Sequence, residues 1–275
     1  MSWTDFVTAK PIWSIDYIEI LMDLFTDFLK DDNFAADKLS QKKYNVWRGS
    51  QIDALDKISL NQPKVVLTRL LPKAIEIISH TDEEIAENIW FNQFSYRLSD
   101  EKYSLTKGLT KLIFEAGEQL KFNSYELWKS LSLFLDYTHT IVEHIIATLI
   151  LNLDIEYSDK VIEWILNDSQ TRLACGIDSI EPKWILPSKL IEKFSPYCSD
   201  SNFEKLENTI IVIGISKPID KIKYCLEIRK EYGYFGKSYW GEAQYFLLPA
   251  LSKSRRSQRS ENLIAVLERR FNDIK

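Results

Sequence analysis

Three stretches of the chain carry residue types that could do chemistry. The first is His139-Thr-Ile-Val-Glu-His144. One turn apart on a helix, His139 and Glu143 could share a divalent cation. The order matches neither H-E-x-x-H nor its inverted form. His139 and His144, five residues apart, would point about 140° away from each other round a helix. These residues read as polar positions on a mostly buried helix, and no metal ligand is assigned. The second stretch, Gly233-Tyr-Phe-Gly-Lys-Ser238, imitates the end of a P-loop. A phosphate cradle needs a glycine five residues before Gly236, where Glu231 stands, and a buried strand ahead of it, where the chain has a charged helix. No cofactor is expected. The third, Lys253-Ser-Arg-Arg-Ser-Gln-Arg259, could bind phosphate groups, with Tyr239, Trp240, Tyr245 and Phe246 close by to stack on bases. No Ser or Cys stands in a nucleophile-elbow setting and no paired-carboxylate motif is present, so no catalytic residue is assigned.

The elements that must position these residues read as helices throughout. Ile18, Leu21, Met22, Phe25, Phe28 and Leu29 form one apolar stripe after Ser14. Pro63 suits a first helical position, and the pattern runs from Val65 to Ser79, with Pro72 expected to kink or split it. Thr81-Asp-Glu-Glu84 reads as a capping box, and Asn123-Ser-Tyr-Glu126 starts a helix by the same logic. The long apolar run from Leu127 to Leu153 is too long for one helix and is split near Asp136-Tyr-Thr138. Its second half, Ile141–Leu151, is apolar nearly all round and should be central and buried. Ser158, Ser201 and Ser260 are the expected caps of three later helices, Ser201 through the box Ser201-Asn-Phe-Glu204. Leu173–Pro187 is the expected long connection, and a short helix follows over Ser188–Phe194. The sum is about a dozen helices with short links and no convincing strand. Their pairing at about 35–45 residues is the period of HEAT-like solenoids. The fold class is therefore all-α, a HEAT-like or irregular helical solenoid. Two lobes, 1–168 and 169–275, or one continuous array, are expected.

Composition supports helices. Eight glycines in 275 residues is about 3%, against a usual level of about 7%. That scarcity argues against tight hairpins and glycine-rich phosphate loops. The net charge of −5 hides an uneven balance. Residues 221–275 hold 12 Lys/Arg against 6 Asp/Glu, whereas residues 1–220 hold 23 against 34. Cys175, Cys198 and Cys225 have no ligand spacing and read as reduced core thiols of a cytoplasmic protein. The start of the chain lacks the basic region of a signal peptide. No apolar run reaches about 18 residues, so no membrane segment is expected.

Several phrases in residues 173–271 have a further implication. They are Leu173-Ala-Cys-Gly176, Phe194-Ser-Pro-Tyr-Cys-Ser-Asp200, Phe203-Glu-Lys-Leu-Glu207, Gly241-Glu-Ala-Gln-Tyr-Phe-Leu-Leu-Pro-Ala-Leu251, Arg256-Ser257 and Leu267-Glu-Arg-Arg-Phe271. This pattern resembles the helical C-terminal regions of large bacterial STAND-type NTPases, some of which act in anti-phage defence. The resemblance covers about a third of the chain and carries no catalytic motif. It implies a sensor or scaffold segment. The chain departs from that family in lacking a Walker A motif and room for an NTPase module. The functional expectation is a non-enzymatic helical scaffold or sensor that binds another macromolecule, a protein. Its candidate contacts are Trp240, Glu242, Gln244, Arg255, Arg256 and Arg259. The alternatives are a nucleic-acid-binding module using the basic C-terminal face, and an enzyme whose site is assembled between helices.

Overall fold

The computed structural model describes residues 59–79, 105–176, 182–213 and 241–272. Among the described residues every regular element is helical and no strand occurs. The chain divides into two compact units, Met1–Asp154 with Ile177–Glu181, and Ile155–Gly176 with Pro182–Lys275.

In the first unit, α1 (Pro63–Ser79) and α2 (Leu105–Gln119) pack side by side. A 3-10 turn, Leu120–Phe122, leads into α3 (Ser124–Leu131), and α4 (Thr140–Ile150) completes the described core. Helix α1 buries Val66, Leu67, Leu70, Leu71, Ala74, Ile75 and Ile78, a stripe at helical spacing. Pro72 lies inside it without splitting it. Buried residues on both sides of Pro72 hold the two halves on one core, which outweighs the single backbone bond that proline removes. Helix α4 is buried nearly all round, from Ile141 to Ile150, as its composition requires. It touches α2 closely: a Cβ on Gly117 would collide with the Leu149 side chain. The break between α3 and α4 spans residues 132–139, where the sequence placed it. Ser124 ties the unit across this break, since its hydroxyl accepts from Asp154 N at 2.8 Å and donates to Asp154 Oδ2 at 3.1 Å.

In the second unit, α5 (Ser158–Asn167) packs on α8 (Asp200–Val212) and on α7 (Ile185–Phe194). A short α6 (Ser169–Arg172) follows α5, and α9 (Glu242–Leu247) touches α7, α8 and α10 (Gln258–Asn272). Helix α5 thus belongs with the C-terminal elements, so the division falls between Asp154 and Ile155 rather than at 168/169. The cause is its buried face, Val161, Ile162, Trp164 and Ile165, which meets the stripes of α7 and α8. Arg172 is also buried here; its guanidinium donates to the Trp164 carbonyl and lies 4.8 Å from the Trp164 ring.

Candidate interaction surfaces

The side chains singled out in the sequence fall into three environments. His139 is the N-cap of α4, and its Nδ1 accepts from Ile141 N at 3.2 Å. His139 has extended backbone angles, while its carbonyl accepts the first-turn bond from Glu143 N at 2.9 Å. Glu143 is buried inside α4. Among the described residues no group of His, Cys, Asp or Glu is arranged to hold a metal ion. Trp240, Tyr239, the stretch Gly233–Ser238 and Cys225 lie outside the described residues. Cys175 and Cys198 are buried thiols outside any disulfide. Burial pushes the Cys198 thiol up, against the pull of the neighbouring Arg255 guanidinium, so it stays a neutral core group.

The basic segment and the residues before it are largely used inside the second unit. Gln244 is 4% exposed, and its amide nitrogen donates to the carbonyls of Ile213 at 2.6 Å and Ile211 at 3.3 Å. It satisfies the C-terminal end of α8, whose last carbonyls have no helical partner. Arg255 donates through Nη1 to the carbonyls of Ser195 at 2.7 Å and Cys198 at 2.8 Å, and through Nη2 to Asp200 Oδ1 at 2.7 Å. Its guanidinium also lies 4.4 Å from the Phe203 ring. Arg256 is 3.4 Å from Glu261 Oε1, across the first turn of α10. Glu242 sits half-buried in the first turn of α9, where its charge suits the helix dipole. Arg259 of α10 is exposed, and so is Lys253 between α9 and α10. Tyr245 and Phe246 are half-buried and pack edge-on, their ring centroids 5.3 Å apart.

The acceptors that organise this corner were not singled out in the sequence. Asp159 on α5 accepts from Ser199 N at 2.8 Å and from Asn202 Nδ2 at 2.7 Å. The Ser199 N–H holds its carboxyl below the usual carboxylate range, against partial desolvation, with help from the Ser199 and Asn202 side chains and the charge of Arg255. The α7–α8 turn is therefore gripped from both sides: a carboxylate takes its N–H groups and a guanidinium takes its carbonyls. This also fixes the start of α8. Its N-cap is Ser199, which accepts from Asn202 N, and not Ser201. Likewise Ser257 caps α10 by accepting from Ser260 N at 3.3 Å, while Ser260 lies inside the helix with its hydroxyl 2.6 Å from Glu207 Oε1. Ser158 is the first residue of α5 rather than its cap, its hydroxyl being turned back to the Ile155 carbonyl.

A different kind of surface lies in the first unit. Asn123 caps α3, its side chain accepting from Glu126 N at 3.3 Å, and Glu126 pairs with Lys64 of α1 at 2.8 Å. In a stapled helix start, the apolar residue before the cap packs on the fourth helical residue. Those residues are Phe122 and Leu127. Leu127 is fully buried, yet Phe122 is 87% exposed, its ring met by Lys121 Nζ at 5.1 Å. Helix α3 turns Ser124, Leu127 and Leu131 inward. Its spacing then places Tyr125 and Lys129 outward, followed by Leu133 in the turn; Tyr125 is 65% and Leu133 77% exposed. Tyr137 adds a further exposed ring, tilted against Phe134 at 6.1 Å.

Comparison with protein-family models, with curated proteins and with solved structures finds no match to this chain. Among the described residues, no helix is long and apolar enough to cross a membrane.

Proposed function

We propose that this chain is a non-enzymatic helical scaffold or sensor, a HEAT-like or irregular array, that binds another protein through the solvent-facing edge of α3. One observation carries this reading: Phe122 stands in the position of a helix staple and is turned to solvent instead, and Tyr125 and Leu133 nearby in the chain are exposed as well. Fully burying one such side chain is favourable by about 1.5–3 kcal/mol, so a partner that covers all three gains a substantial part of a specific affinity. Aromatic side chains are enriched in the buried centres of protein interfaces. The resemblance of residues 173–271 to the helical regions of STAND-type NTPases points to the same role and supplies its setting, bacterial anti-phage defence in the cytoplasm.

The nucleic-acid alternative draws less support, because Arg255 and Arg256 already have internal partners. The test is capture of partners by the tagged full-length chain from its native cytoplasm, before and after phage challenge, with and without nuclease. The proposal expects a protein that survives nuclease and is lost with Phe122→Ser/Tyr125→Ser/Leu133→Ser. Capture that disappears with nuclease, or that is indifferent to those substitutions, contradicts it. Capture that depends on challenge bears out the defence setting.

A further inference from the structure

The segment between α9 and α10 crosses the α7–α8 turn as a strap with an unusual density of polar contacts. Ser252 N donates to Ser195 Oγ at 3.1 Å. Arg255 donates to three carbonyls of the turn, those of Ser195, Pro196 and Cys198, and to Asp200, with its guanidinium over Phe203. Ser257 N donates to Glu207 Oε1 at 2.7 Å, and the Ser260 hydroxyl reaches the same oxygen at 2.6 Å. All of these contacts are made by the strap and the first turn of α10. Beyond that turn, the buried apolar side chains of α10 among those described are Ile264 and Leu267. Helix α8, by contrast, buries Phe203, Leu206, Ile210 and Ile211 and packs on α5.

We infer that the Ser252–Ser257 strap is a polar latch, and that its release lets α10 open as one piece while α5, α7 and α8 stay folded. Elements open locally when few buried apolar contacts retain them. Among the described side chains of α10 beyond its first turn that hold is Ile264 and Leu267, so the polar contacts at its N-terminal end govern its docking. One part of the latch is exposed to salt: Asp200 is fully exposed, so its pairing with Arg255 is screened. The other part is shielded, since Arg255 donates to the carbonyls of buried Cys198 and Ser195, the latter also accepting from the Cys198 thiol. Opening would uncover Glu207 and the Gly241 backbone. Leu267 leaves no room there, its Cδ2 standing 2.6 Å from where a Cβ on Gly241 would be. The latch is thus a device for presenting or hiding this corner of the second unit.

The test is amide hydrogen exchange of the full chain, read peptide by peptide, for the natural protein and for Arg255→Ala. The expected result is exchange about a hundredfold faster across 258–272 in Arg255→Ala, with α5 and α8 unchanged. In the natural protein, raising salt from about 0.05 M to about 0.5 M should speed exchange of α10 several-fold and leave α8 alone. This second arm needs no variant and stands if Arg255→Ala fails to fold. Acceleration of α8 and α10 by the same factor overturns the inference, because the helices would then open together. No change in α10 under either perturbation overturns it as well.

Discussion

Substituting Phe122 and Leu127 separately isolates the feature on which the functional reading depends. The two residues flank one helix cap and lie five positions apart, but one is 87% exposed and the other fully buried. Truncating Leu127 to Ala removes packing between α3 and its neighbours and leaves a cavity, at a cost of about 2–5 kcal/mol. Truncating Phe122 to Ala removes a ring whose contact is with the Lys121 ammonium, so stability should stay within about 0.5 kcal/mol. Urea unfolding of the intact chain, followed by circular dichroism, separates the two. At a slope of about 1–3 kcal/mol per molar urea, Leu127→Ala should lower the midpoint of the first unit by about 1 M or more. Phe122→Ala should leave it in place. An equal loss for both variants would mean that Phe122 packs inside, and the proposed surface would not exist.

Two further outcomes follow from the second unit. Gly241 has φ of +90° and no room for a Cβ against Leu267, so Gly241→Ala should cost about 2–4 kcal/mol, from the left-handed backbone and the overlap together. Adding Leu267→Ala relieves the overlap, so the double variant should lose less than the sum of the singles by about 1 kcal/mol or more in urea unfolding; strict additivity would refute the contact. Asp159 has a folded pKa below its unfolded value, so its contribution is complete above pH about 4 and is lost as pH falls through the folded pKa. Asp159→Asn should therefore flatten the acid limb of the stability curve of this unit below that pH, measured as the urea midpoint against pH. An unchanged acid limb would show that the carboxylate is not held in this way.

The helical class was readable because the long stripes are uniform. Val66 to Ile78 on α1 and Ile141 to Ile150 on α4 repeat at helical spacing over several turns, so no local choice could reverse them. Helix starts in the second unit were misplaced for a physical reason. Ser199 and Ser201, like Ser257 and Ser260, offer two caps within one turn, and the choice depends on distant carboxylates. Asp159 holds the Ser199 N–H, and Glu207 binds both the Ser257 N–H and the Ser260 hydroxyl. The same distance hid the role of the basic segment. A run of arginines reads as a surface charge until the carbonyls of Ser195 and Cys198, 60 and 57 positions away, are seen to claim Arg255. Gln244 was equally unreadable, since the carbonyls it satisfies belong to the end of α8. The outward turn of Phe122 had no signal either, because the residue before a helix cap is as often stapled inward.

Recruitment of a protein by the apolar edge of α3 is the proposed function. Its most direct test is the amount of nuclease-resistant partner retained by the natural chain and by Phe122→Ser/Tyr125→Ser/Leu133→Ser, compared at matched urea stability. The substituted chain should fold as before and retain less than about a tenth of the partner, as expected when central anchors are removed. Equal retention by the two chains would contradict the account and return attention to the exposed residues of the C-terminal unit, Arg259 first among them.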